Sequence, residues 1–199
     1  SWHDSYPYSC ISVFALHPQY VNLNALPPLN NMQQRKHFAQ LQKTLNALPE
    51  IDYERVNEAK MTYLKAIYQQ EGEATLKSDD FKTFFQASQE WLVPYAYYSC
   101  LRDKLGTANF MQRKGHSQWN EVNRLPLSTP GTKEYQHVAF FYYVQYILHR
   151  QMEAAHITAR KHGIVLKGDI PIGVNRLGCD VWTTPHFFNL DGQAGAPPD

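Results

Sequence analysis

Residues 167–174 read KGDIPIGV, an apolar run of the kind that forms a strand, interrupted by a carboxylate, Asp169, and by Pro171 two positions later. Just before it stand Ile164, Val165 and Leu166, and before those Gly163. Upstream, Val138, Phe141, Val144, Leu148, Met152, Ala155 and Ala159 recur at steps of three and four. That period predicts a helix from about residue 133 to 162, with Gly163 as its stop. A long helix, one glycine and a β-branched apolar run form the αβ half of a βαβ unit. Strands covered on both faces are almost continuously apolar, and in such folds function gathers where strands emerge at their carboxyl ends. Asp169 then has two readings, a carboxylate delivered to a site or a side chain capping a local turn.

Working outward, residues 1–31 are loop-like, with Pro7, Pro18, Pro27 and Pro28 punctuating short apolar pieces. Phe38, Leu41, Leu45 and Leu48 then fall at helical spacing before Pro49. Asp52 is placed to cap a second helix with the stripe Tyr53, Val56, Leu64, Ile67 and Tyr68, ending at Gly72. Ser78 is placed to cap a third, with Asp79 and Asp80 in its first turn. Adjacent carboxylates there read as helix-start charges rather than an acid/base pair. Pro94 is expected to kink or restart that helix, and Gly106 to end it. His149 and His156 lie seven apart on the long helix and read as ordinary helix residues, since a metal pair favours a spacing of four.

Composition bounds the function. With 199 residues the chain allows one domain, or one core and a sizeable insertion. A net charge of +1 gives no basic field for nucleic acid. No apolar run approaches the ~20 residues a membrane-spanning helix needs, and no signal peptide pattern opens the chain. Three scattered cysteines, Cys10, Cys100 and Cys179, fit neither a disulfide framework nor a zinc knuckle, and predict thiols in the cytoplasm. No metal or other cofactor is expected. Thirteen tyrosines and four tryptophans could serve sugar-stacking surfaces, but composition alone favours simple helix contacts. The first residue is Ser1, and Pro197-Pro198 precede the last; both ends read as cuts through a longer protein.

The stretch 168–175, GDIPIGVN, followed by DVW at 180–182 and GAPPD at 195–199, resembles the 4-α-glucanotransferases of glycoside hydrolase family 77, the amylomaltases or disproportionating enzymes. Residues 4–18, DSYPYSCISVFALHP, resemble the same family's substrate-loop segment, most of all in plant-type enzymes and their bacterial relatives. Residues 84–106 and 134–152 resemble its helical stretches, so the likeness covers nearly the whole chain in order.

The resemblance implies an α/β fold, a partial (β/α)8 TIM-type barrel segment carrying a large, mainly α-helical insertion. Residues 1–30 would be the substrate-loop segment and 31–132 the insertion. Residues 133–199 would supply a barrel helix, a strand and the start of an active-site loop. It also implies transfer of α-1,4-glucan pieces between maltooligosaccharides with retention of configuration, which needs a carboxylate nucleophile and a carboxylic acid/base ~5 Å apart. Carried over by motif, Tyr8, Asp169 and Asp199 are the expected substrate-binding residues. Nothing here matches the family's nucleophile, acid/base or later His-Asp segments, so no catalytic residue is expected in this segment and the isolated chain is expected to be inactive. Trp182 is expected to pack, and Gly178-Cys179, which departs from the family's usual serine and small residue, to be structural. The alternative from another class is a non-catalytic carbohydrate-binding module. Oligomeric state is left open by the sequence.

Overall fold

The computed structural model of the protein describes residues 10–169 and 173–192. Among the described residues the regular elements are α-helices and short 3-10 turns, with no strand. Helices α1 (Met32–Asn46), α2 (Tyr53–Lys77), α3 (Asp79–Leu105), α4 (Arg124–Ser128), α5 (Lys133–Lys161) and α6 (Cys179–Thr183) follow in order.

The helix boundaries follow from capping chemistry. The Asn31 side-chain oxygen accepts the Gln33 and Gln34 amides at 2.9 and 3.1 Å. Asp52 accepts the Arg55 amide at 3.0 Å, and Ser78 Oγ the Phe81 amide at 3.2 Å. Each cap satisfies donors that the first turn leaves without intrahelical partners. Asp79 and Asp80 act as helix-start charges, Asp79 pairing with Lys82 and Asp80 with Arg150, both at 2.7 Å. Glycines with positive φ, Gly106 at 66° and Gly163 at 70°, stop α3 and α5. At Gly163 the stop is a two-bond αL cap, with Gly163 N donating to Arg160 O and Ile164 N to Ala159 O.

One expected boundary fails, at Gly72, and at Pro94 the helix runs on rather than restarting. Gly72 lies inside α2, which runs five residues further to Lys77. It is buried, and an added Cβ would collide with the Tyr68 ring, so the glycine serves packing rather than termination. Pro94 lies within α3, which continues through it to Leu105.

The α/β expectation is also overturned. Residues 164–169 form no strand; they are exposed, irregular chain, with Val165 88% accessible. An apolar, β-branched run becomes a strand only by laddering to another strand. No other strand exists among the described residues, so the partial (β/α)8 barrel is absent and the fold is mainly helical.

The described residues divide into two compact units. One comprises 16–88 and 140–168, the other 10–15, 89–139, 169 and 173–192. Helices α3 and α5 contribute residues to both.

In the first unit Val21, Leu29, Leu64, Ile67, Tyr143 and Leu148 form a core, each at most 3% exposed. The buried Tyr143 hydroxyl donates to Glu71 Oε1 at 2.6 Å; burial first, and the neighbouring carboxylate second, push its pKa far up. Three glutamines on helices tie down the irregular segment after residue 15. Gln145 accepts the Leu16 amide at 3.0 Å and donates to the Leu16 carbonyl at 2.8 Å. Gln151 does the same for Asn22, at 2.8 and 3.0 Å. Gln70 accepts from Asn30 N and donates to Pro28 O. A carboxamide offers the donor and acceptor of a peptide group, so each glutamine stands in for a neighbouring strand, Gln145 and Gln151 for one loop residue each and Gln70 for two.

The second unit is built on aromatic packing. Trp182 and Tyr98 are buried to 1% and 0% exposure, with Phe110, Cys179 and Val181 beside them.

Candidate functional site

The second unit joins the opening loop to the chain just beyond Asp169. Residues 10–15 come from the opening loop, and 175–183 follow Asp169 by a few positions. Four features fasten the two together.

The first is a turn. Asn175 Oδ1 accepts the Leu177 amide at 2.9 Å, and Gly178 N donates to Asn175 O at 2.7 Å. This delivers Gly178 against the opening loop so closely that a Cβ there would sit 2.7 Å from Ile11 O and 2.9 Å from Asn175 O. Its φ is −73°, so glycine is required by space rather than by backbone conformation.

The second is the start of α6. Cys179 N donates to Ile11 O at 2.7 Å. The third is Asp180, in the first turn of that helix. One carboxylate oxygen accepts the Ser12 hydroxyl at 2.9 Å and the other the Val13 amide at 2.8 Å. Ser12 is 4% exposed and Asp180 half-buried. Burial pushes the Asp180 carboxyl above its ordinary value, while the Val13 and Ser12 hydrogen bonds pull it part of the way back.

The fourth lies beneath. The Tyr98 hydroxyl is 2.5 Å from Leu177 O and 3.1 Å from Ala108 O, bracing the turn before Gly178 from α3. Trp182 Nε1 donates to His116 O at 2.9 Å, and its ring packs on Trp119 and Tyr98 with centroids 5.5 and 5.8 Å away. The Arg113 guanidinium, 1% exposed, lies 4.4 Å over the Tyr98 ring and donates from Nη2 to Thr107 O and Ala108 O at 3.0 and 3.4 Å. Burial lowers its pKa, and its Nε has no hydrogen-bond partner. This buried cation is held by carbonyls and a ring, and pins the turn that follows α3.

Of the residues expected to bind substrate, Asp169 is exposed, eleven positions before Asp180. Tyr8 and Asp199 lie outside the described residues, so the three are not brought together in the described structure. Trp182 packs as expected, and Gly178 is structural as expected. His149 packs against Phe84 at 4.8 Å and His156 is exposed. No cluster of three or more His, Cys, Asp or Glu suited to a metal ion occurs among the described residues. No described helix is long and apolar enough to cross a membrane.

The residues that sequence reasoning missed are Ser12, Tyr98, Arg113 and Asp180. Only Asp180 left a signal, an acidic residue in the first turn of a short helix. The others are recognisable only by partners far away in sequence.

Comparison with known proteins places this junction in context. The family model described as 4-alpha-glucanotransferase matches residues 1–199. A rice (Oryza sativa subsp. japonica) protein named 4-alpha-glucanotransferase DPE2 is 38% identical over 204 residues, covering 100% of this chain and 21% of the rice protein. A 4-alpha-glucanotransferase of Chlamydia caviae is 33% identical, covering 100% of the chain and 37% of its own length. One from Aquifex aeolicus is 30% identical over 76% of the chain and 31% of its own length. The chain thus spans between about a fifth and two fifths of these relatives.

Proposed function

The chain belongs to the 4-alpha-glucanotransferase family, and on that premise we propose that it is the donor-glucan-positioning part of an enzyme that moves α-1,4-glucan pieces between maltooligosaccharides. The observation that carries this reading is the fastening of residues 11–13 to residues 178–180 by the Ser12–Asp180, Val13–Asp180 and Cys179–Ile11 bonds. Tyr8 lies three residues before Ile11, and Asp169 precedes Gly178 by nine, so the junction stands close in sequence to both.

Each proposed contact has a chemical task. Asp169, as a carboxylate, accepts two sugar hydroxyls in charge-assisted bonds that strengthen as the ring distorts toward the oxocarbenium-like transition state. Tyr8 offers an aromatic face beside the scissile bond and helps to exclude water in favour of a sugar acceptor. Residues 195–199, Asp199 among them, begin the loop proposed to lie over the substrate.

The chemistry is a retaining double displacement, in which a carboxylate forms a glycosyl ester while a carboxylic acid protonates the departing sugar. The same acid, now a base, then takes the proton of the acceptor hydroxyl. This chain supplies neither group. Five of its described acids have partners in the structure: Glu71 with Tyr143, Asp103 with Arg102, Glu121 with Arg124 and Trp119, Glu153 with Arg150, and Asp180 with Ser12 and Val13.

The test is the Tyr8→Ala variant of the complete enzyme acting on maltotriose, with transfer and hydrolysis products separated. A weaker KM and a shift toward hydrolysis are expected. An unaltered transfer-to-hydrolysis ratio would contradict the role given to Tyr8. Calorimetric titration of this chain with maltoheptaose separates the binding-module reading: a half-site binds weakly, whereas micromolar affinity would favour an autonomous module.

A further inference from the structure

Helix α1 bears the apolar stripe expected of a core helix, yet none of its residues is buried. Its stripe is only half-buried, with Phe38 packed against the first unit's core, and walls a groove of about 420 Å³ between α1, α2 and the segment 21–29, all within the first unit. That volume falls in the range of small-molecule sites. Phe38 and Leu45 of α1 face Val56 and Tyr63 of α2 across it. The Phe38 and Tyr63 rings meet edge to face at 5.0 Å.

The polar lining has one sign. Arg35 and Lys60 border the groove, and no aspartate or glutamate does. Lys60 Nζ donates to the carbonyls of Gln19 and Val21, and Arg35 Nε to that of Leu29. Carbonyls orient a cation without neutralising it, and neither side chain has a carboxylate partner among the described residues. Burial alone lowers the Lys60 pKa, with no acid nearby to restore it. The Arg35 charge reaches Tyr63, where it opposes the rise that burial gives the phenol pKa.

We infer that this groove binds a small organic anion with an apolar body, its acidic headgroup met by Arg35 and Lys60 and its body covering Phe38, Leu45 and Val56. Such a ligand supplies the burial that α1 lacks and the negative charge that the two cations lack. A neutral glucan supplies neither, so this site is separate in chemistry from the proposed donor site and stands independently of it. Charge-assisted hydrogen bonds from two cations give the headgroup its selectivity, and the apolar wall gives most of the contact area.

The test uses the anionic fluorophore 8-anilinonaphthalene-1-sulfonate and N-phenyl-1-naphthylamine, the same ring system without the sulfonate. The sulfonate is expected to bind the chain at one saturable site, to weaken with added salt, and to be displaced by decanoate but not by decanol. Arg35→Gln should weaken it about tenfold, the scale of one charge-assisted bond. Ala39→Trp, which fills the groove and leaves both cations, should abolish it; far-UV circular dichroism checks that each variant remains helical. Unchanged binding in Arg35→Gln, or equal binding of the two fluorophores with decanol displacing as well as decanoate, would overturn the inference. If Ala39→Trp fails to fold, Arg35→Gln and the fluorophore pair decide the matter alone.

Discussion

Ser12 donates its hydroxyl to the Asp180 carboxylate at 2.9 Å, joining positions 168 apart in sequence. The other oxygen of the same carboxylate holds the Val13 amide, so one side chain fixes a loop by two bonds at once. A single acid placed in this way has consequences that stability measurements can read.

Asp180 should make stability fall as pH rises through its titration. Its folded pKa is raised above the ordinary 3.8, with burial the larger cause. Between the unfolded and folded values the native state therefore holds more protons than the unfolded state, and unfolding free energy declines with pH. The contribution is full below the unfolded pKa and is lost as pH rises through the folded one. Urea unfolding of the wild type and Asp180→Asn across this window should show the wild type's advantage shrinking as pH rises. An advantage that grows with pH would mean that the Ser12 and Val13 bonds outweigh burial.

Gly178→Ala should destabilise the chain by about 1–3 kcal/mol, the scale of overpacking against atoms that cannot rotate away. The atoms a Cβ would meet, Ile11 O and Asn175 O, are both backbone. Gly173→Ala is the control, since nothing lies within 4 Å of its added carbon. Thermal unfolding should separate the two; equal melting temperatures would remove the close approach from the account.

Gln145→Leu should free the segment around Leu16. The side chain is 2% exposed, and its loss leaves both the amide and the carbonyl of Leu16 without these partners. A cost of about 1–3 kcal/mol per unsatisfied group is expected. Hydrogen exchange at the Leu16 amide should accelerate with little change at the α5 amides. Unchanged exchange would show that the segment is held by other means.

What the sequence made legible here was local. The caps Asp52 and Ser78 act within three residues, and the stops Gly106 and Gly163 act through their own backbone angles. Period and capping rules operate on that scale, so the long helix was expected from 133 to 162 and found as Lys133–Lys161. The misreadings were matters of context. Residues 164–169 have a strand's composition, but a strand also needs a neighbour, which composition does not reveal. Gly72 looks like a stop until the Tyr68 ring beside it is known. The substrate residues came from motif likeness, whereas Asp180, Ser12 and Tyr98, which fasten the loops, depend on partners dozens to more than a hundred positions away and leave almost no local trace.

The most direct test of the central claim is the initial rate of glucose release from maltotriose. It should be measured for the complete enzyme, for its Asp169→Asn variant and for this chain alone. The account predicts turnover by the complete enzyme, a severe loss in Asp169→Asn with the fold intact, and none from the chain. A wild-type rate in Asp169→Asn, or turnover by the chain itself, would contradict it.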